Sequence, residues 1–395
     1  MSSEQLARQP KIRLDKVGKT YPGTKVAAVE ELSLDIHEGE ILVLVGPSGC
    51  GKSTTLRLIN RMIEPSGGRI LLDGEDVTKV NPDKLRRRIG YVIQQIGLFP
   101  HQTIAQNIET VPRMLGWDKA KAKARSEELL GMVGLDPERY RDSYPKALSG
   151  GQAQRVGVAR ALGADPDIML MDEPFGAIDP ITRERLQNEF LRLQGELRKT
   201  IVFVTHDIDE AVKLGDQIAV LRVGGTLAQL DTPERLLRDP HDDFVADFVG
   251  RDRGYRGLAF QKAPRLPLLD EPTVRVGDSA GRLREVAAGE PWVLALDEDG
   301  RPQGWVRVEA VRDTLDRTLL HRGGTVGREG GTLRAALDAA LSSPTGKGVI
   351  ADADGRFVGT VLAQDVLAQI QRQQPDASQP EADPVTAAPV EEGVG

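Results

Sequence analysis

The sequence predicts an α/β protein built on a largely parallel sheet, carrying a helical insertion and followed by a second, smaller α/β unit. Three observations lead there. Residues 41–45, 168–171 and 201–204 are short runs that are apolar throughout, the pattern of strands buried on both faces. Helical text lies between those runs, which is the alternation of a parallel sheet. A glycine-rich loop at 46–53 joins the first run directly to a helix.

In chain order, residues 12–17 and 26–36 alternate and are rich in β-branched residues, and the turn Tyr21-Pro22-Gly23 joins them into an antiparallel edge. The buried strand 41–45 follows, then a helix from Lys52 to about Arg61. Residues 103–145 change to Lys/Ala/Glu-rich helical text, clearest at 118–133, and mark a helical subdomain of about 95–148. Helices starting near Gln152 and Pro180 precede the later buried strands. The charged, glycine-rich stretch 251–257 is the expected boundary, so residues 1–250 form the first domain and 251–370 the second. Within the second, residues 293–306 resemble 349–361: a strand, an Asp-Gly turn and another strand, each preceded by a helix, at 283–287 and 333–341. Residues 371–395, rich in Gln, Pro, Ala and acids, read as a disordered acidic tail.

Bulk properties narrow the function classes. The 395 residues suffice for two or three folding units. With 52 Lys+Arg against 59 Asp+Glu, the net charge of −7 does not recommend a polyanionic partner such as nucleic acid. The single cysteine, Cys50, excludes an internal disulfide and fits a reducing compartment. Residues 1–10 are polar, and no run approaches the roughly 18 apolar residues of a membrane span. Any work at a membrane is therefore expected to go through a partner.

Chemistry concentrates in two places. Gly46-Pro47-Ser48-Gly49-Cys50-Gly51-Lys52-Ser53, with Thr54 behind it, fits the phosphate-binding loop and sits between a buried strand and a helix, as that loop must. Glycines there let backbone N–H groups face phosphate oxygens, and the helix start adds a favourable dipole. The expected ligand is ATP with Mg²⁺: Lys52 on the β- and γ-phosphates, Ser53 on the metal. The apolar run 168–171 ends in Asp172-Glu173, which places Asp172 for the Mg²⁺ shell and Glu173 as general base for the attacking water. Cys50, inside the loop and beside a helix start, is expected to be a reactive thiol.

A third element specifies the superfamily. Leu148-Ser149-Gly150-Gly151-Gln152, followed by Ala-Gln-Arg-Val-Gly-Val-Ala-Arg-Ala-Leu, resembles the signature sequence of ATP-binding-cassette (ABC) ATPases. Alone, Ser-Gly-Gly would be a helix N-cap. The resemblance covers about residues 11–250. It implies two cassettes packed head to tail, as a homodimer or with a paired ATPase subunit. Ser149 and Gly151, with Gly150 and Gln152, would then face the nucleotide held by the other copy's loop. It further implies that Gln94, next to Gln95, reaches Mg²⁺ and the attacking water, that Asp179 links the two sites, that His206 contacts the γ-phosphate and that Tyr21 stacks on adenine. Asp179 also reads as an N-cap before Pro180. Residues 90–101 and 171–183 look like the ATP-binding subunits of osmoprotectant importers for glycine betaine, carnitine and choline, and the C-terminal repeat resembles a divergent tandem cystathionine-β-synthase-type (CBS) domain. The resemblance thus implies a motor at the cytoplasmic face of the membrane, docking permease subunits through residues 94–148 and served indirectly by a solute-binding protein. Other importers, for amino acids, polyamines or sugars, and a non-transport ABC ATPase are the alternative readings.

Overall fold

A computed structural model describes residues 9–93, 97–176, 178–263 and 266–373. The chain starts with β1 (Ile12–Lys19), β2 (Val29–Ile36), β3 (Ile41–Val45), α1 (Lys52–Ile59), β4 (Gly67–Leu72), β5 (Glu75–Asp76), α2 (Pro82–Arg86) and β6 (Ile89–Val92). A helical lobe follows, made of α3 (Ile104–Met114), α4 (Lys119–Met132), α5 (Pro137–Tyr140) and α6 (Gly150–Leu162). The chain then returns through β7 (Ile168–Asp172), α7 (Pro180–Leu197), β8 (Thr200–Val204), α8 (Ile208–Leu214), β9 (Gln217–Leu221), β10 (Leu227–Asp231), α9 (Pro233–Arg238) and α10 (Asp243–Val249).

The central sheet has the order β10-β9-β3-β8-β7-β6 and is parallel except for the β10–β9 pair at its edge. β3, β7 and β8 are buried at every position. Their alternation divides two cores. Ile41, Val43, Val45, Met169, Met171 and Phe203 face the helical lobe, α7 and α8, whereas Leu42, Leu44, Leu170 and Val202 face α1. Each such side chain contributes about 1.5–3 kcal/mol of burial energy.

The predicted antiparallel edge is corrected in one respect. β1 and β2 pair with each other, but they do not extend the parallel sheet; with β4 and β5 they form a separate sheet of order β2-β1-β4-β5. Burial in β1 and β2 alternates except where bulges shift the pairing, so each strand has one apolar face. That face packs over α1, completing the second core with Ile12, Leu14, Leu32 and Ile36.

Side-chain caps set the helix starts. Thr103 and Gln106 form a reciprocal capping box on α3, and Asp118 caps α4. Asn107, fully buried, accepts from the Phe99 N–H and donates to the carbonyls of Phe99, Gln102 and Thr103, which fixes the loop entering the lobe. As the sequence predicts, the described part of residues 103–145 contains helices and no strand. No described helix is long and apolar enough to cross a membrane.

Contacts divide the chain after Gly254. The second unit repeats one plan twice. Thr273–Arg275 and Trp292–Leu296 are parallel with Ala280–Ala287 between them, and Pro302–Arg307 returns antiparallel. Val326–Arg328, Leu333–Ser342, Lys347–Ala351 and Phe357–Leu362 do the same. The two hairpin turns match atom for atom: Asp297 Oδ1 accepts from the N–H groups of Asp299 and Arg301, and Asp352 Oδ1 from those of Asp354 and Arg356. A cleft of about 280 Å³ lies between the two copies, lined by Trp305, His321, Arg322, Val326 and Val349 among others. The last helix, Ala363–Gln373, runs past the predicted end of the domain at 370, and Gln373 Nε2 donates to the Lys262 carbonyl at 3.4 Å. The remainder of the predicted tail, from 374, lies outside the described residues.

Candidate functional site

The loop between β3 and α1 is shaped by close backbone approaches. Gly46 has φ 149°, and a Cβ there would sit 2.4 Å from the Leu221 carbonyl oxygen. Gly51 has φ 99°, and its Cβ would sit 2.4 Å from the Ala28 carbonyl oxygen. Only glycine fits either place. The same approach explains why β2 begins at Val29 and not at residue 26: the chain at Ala28 lies against the loop.

Lys52, a residue 7% exposed, places its ammonium within this loop. It donates to the carbonyls of Gly46 at 2.8 Å and Pro47 at 3.0 Å and approaches Cys50 Sγ at 3.6 Å. Helix starts carry N–H groups with no intrahelical acceptor. α3, α4, α6, α7 and α8 all have a side chain that accepts from them, whereas Gly51 gives α1 none. A buried cation at a helix start without a side-chain cap fits the phosphates of a nucleotide.

β7 is not adjacent to β3, since β8 lies between them. α1 spans the gap and contacts both β7 and β8. Ser53 Oγ therefore donates to Asp172 Oδ1 at 2.9 Å across 119 residues of chain. Burial pushes the Asp172 carboxyl above the usual range, the Ser53 hydrogen bond pulls it down, and the charge of Glu173 raises it further. A hydroxyl and a carboxylate are hard oxygen donors and suit Mg²⁺.

Glu173 follows with a left-handed backbone, φ 45°, and its N–H donates to the Val204 carbonyl at 3.0 Å. This turn sends its side chain toward the end of β8, where Oε1 lies 3.2 Å from His206 Nδ1. Lys52, Ser53, Asp172, Glu173 and His206 thus converge on one end of the parallel sheet. Two further residues join them that the sequence reading did not single out. Tyr91, at the end of β6, has its hydroxyl raised by burial and by Asp172, and a hydrogen bond with Arg57 opposes this. Arg57 had a usable signal, because it lies four residues after Ser53 on the same helix face.

Known proteins share this sequence and fold. Residues 29–176 match the ABC transporter family. The osmoprotectant import ATP-binding protein OsmV of Salmonella typhimurium is 45% identical over 369 residues, 90% of this chain and 95% of the relative. The chain belongs to the ABC transporter family of ATP-binding proteins. The glycine betaine/carnitine/choline transport ATP-binding protein OpuCA of Bacillus subtilis is 57% identical over 305 residues, 76% of this chain and 79% of the relative. A bacterial ABC transporter cassette solved as a dimer has a TM-score of 0.52 at 37% identity, covering 56% of this chain and 98% of that one. The same cassette bound to ADP and Pi after hydrolysis gives 0.51 at 36%, with the same coverage. This chain is accordingly an ABC ATPase.

Other positions expected from the ABC resemblance make contacts of their own. Ser149 caps α6 in a capping box: its Oγ accepts from the Gln152 N–H, and Gln152 Oε1 accepts from the Ser149 N–H. Gln152 Nε2 donates to the Tyr140 hydroxyl at 3.0 Å, while Ser149 and Gly150 are exposed. Gly151 packs against Thr182 at the start of α7. Asp179 caps α7 before Pro180, accepting from the Thr182 N–H at 3.0 Å, and this bond holds its carboxyl below the usual range. Tyr21 is half-buried with the Lys19 ammonium 5.4 Å from its ring centroid. Gln94 lies outside the described residues.

The expectation for Cys50 is overturned. Its side chain is fully buried in the α1-facing core, so the thiol is shielded despite its place in the loop. A thiol-specific chromogen should release no colour from the native ABC ATPase and one equivalent per chain in guanidinium. Equal rates in both would show that the thiol is open.

Proposed function

We propose that this chain is the MgATP-driven motor of an importer for quaternary-amine osmoprotectants. One observation carries the solute class: the resemblance to OsmV extends over 95% of that relative, far beyond the part any ABC cassette would share. The relatives are named for osmoprotectants, and for glycine betaine, carnitine and choline.

In this reading Lys52 binds the β- and γ-phosphates, with the backbone of Gly46, Pro47, Ser48, Gly49, Cys50, Gly51 and Thr54 around them. Ser53 and Asp172 hold Mg²⁺ together with Gln94, and the ion neutralises charge on the phosphates. Glu173 takes the proton of the attacking water, and His206, already in contact with Glu173, reaches the γ-phosphate. Tyr21 stacks on adenine. Ser149, Gly150, Gly151 and Gln152 complete the site of a second cassette, and Asp179 links the two. This assignment is supported by the exposure of Ser149 and by a signature loop whose hydrogen bonds are already made. The helical lobe receives permease subunits at the cytoplasmic membrane face, and a solute-binding protein acts upstream. The repeated unit after Gly254 is a divergent tandem CBS-like regulatory domain, supported by its two matched hairpins.

Uptake in the native host tests the solute class. Deleting the gene should abolish uptake of labelled glycine betaine, choline or carnitine in hyperosmotic medium. The wild-type chain should restore it, and the Glu173→Gln chain should not. Unchanged uptake of all three solutes on deletion would sink the reading.

A further inference from the structure

We infer that Arg183 is a positioning residue that ties the loop bearing Asp179 to the turn bearing His206, so that the two parts of the ATPase site move together. The inference rests on the proposed roles of those two residues.

Arg183 stands in the first turn of α7, four residues beyond the Asp179 cap. One terminal nitrogen donates to the carbonyl oxygen of Ile178, immediately before Asp179, at 3.1 Å. The other faces Asp207 Oδ2 at 3.7 Å, immediately after His206. The guanidinium therefore bridges the backbone of one loop to the side chain that caps α8. Its Nε is buried without a hydrogen-bond partner among the described residues. Leaving a buried donor unsatisfied is costly, and the hydrogen bond and ion pair of the two outer nitrogens offset that cost.

A second rung, one turn further along α7, repeats the link. Gln187, 6% exposed, donates through Nε2 to Glu210 Oε1 at 3.0 Å, and Glu210 is 6% exposed on α8. Asp207 is fixed in turn, because its N–H donates to Thr205 Oγ1 and its carboxylate accepts from the N–H groups of Asp209 and Glu210. α7 and α8 are thus coupled by two polar rungs, and the first joins the backbone next to Asp179 to the residue next to His206. A planar, forked cation suits this task because it fixes direction at both ends, which a lysine ammonium does not.

Steady-state ATP hydrolysis by the full chain, with thermal melts alongside, tests this. Arg183→Gln should lower kcat roughly tenfold and shift KM for ATP less than about twofold, with an unchanged melting temperature. Asp207→Asn, which retains a good helix cap, should lower kcat similarly, and the double variant should be no worse than either single one. Should Arg183→Gln fail to fold, Arg183→Lys takes its place, with the same split between kcat and KM expected. Wild-type kcat in the soluble Arg183 variant overturns the inference, and so do independent, multiplying losses in the double variant. A parallel His206→Ala variant separates the two levels. If it is inactive while the Arg183 variant is normal, only this inference fails; if it retains full activity, the underlying reading of the site fails too.

Discussion

Glu173→Gln is expected to reduce ATP turnover about 100-fold or more while leaving nucleotide affinity within a few-fold of wild type. The substitution removes a proton acceptor and almost nothing else. Gln has nearly the volume of Glu, its amide oxygen can still face His206 Nδ1, and the backbone bond from residue 173 to the Val204 carbonyl is untouched. General-base contributions of about 10²–10⁴-fold set the size of the loss. The nucleotide contacts assigned to Lys52, Ser53 and Asp172 all remain, so binding and chemistry separate. Single-turnover kinetics, fluorescent-nucleotide titration and size-exclusion chromatography with MgATP measure the three quantities. Slow turnover, normal affinity and a larger particle with MgATP are the expected combination. Turnover within about fivefold of wild type would remove Glu173 from its proposed role.

Lys52→Ala should weaken ATP binding by roughly 100-fold or more, because a buried cation at the phosphate position is lost and no other group can replace it. The carbonyls of Gly46 and Pro47, which now face the ammonium, would instead face the incoming phosphates. Repulsion adds to the missing attraction. Folding itself should change little, since the ammonium's hydrogen bonds all lie within the loop and to Cys50. Wild-type protein should gain about 2.7 kcal/mol of stability at an ATP concentration 100 times its Kd, seen as a rise in melting temperature. In Lys52→Ala that rise should vanish while the ligand-free melting temperature stays close to wild type. A full ATP-dependent rise in the variant would show that the phosphates are held elsewhere.

Where the fold could be read from the sequence, a strong local signal coincided with a global need. Residues 41–45 and 201–204 are apolar throughout because both faces of the central sheet are covered, and the glycines of 46–51 mark a loop where backbone meets backbone. The caps Ser149 and Asp179 were legible for a similar reason: each is satisfied within four residues. The separate antiparallel sheet was not legible, because pairing β1 with β4 is a choice between distant partners that alternation alone does not make. β9 was overlooked although its last four residues are buried, since its sequence carries no adjoining motif. The same limit hid the contact of Ser53 with Asp172 over an intervening strand, and the bridge from Arg183 to Asp207. Both depend on how elements distant in the chain pack together, and neither leaves a periodic trace. Cys50 shows the opposite error, in which a correct motif invited a conclusion about the thiol that only the direction of its side chain could decide.

The left-handed backbone at Glu173 marks a tension between durability and work. A non-glycine residue held there costs of order 1–3 kcal/mol, and Gly or Asn would sit more easily. Heat resistance and turnover therefore pull this position in opposite directions. Breeding the protein for endurance alone would tend to erase the residue on which its proposed hydrolysis depends, leaving a hardier protein that still grips nucleotide.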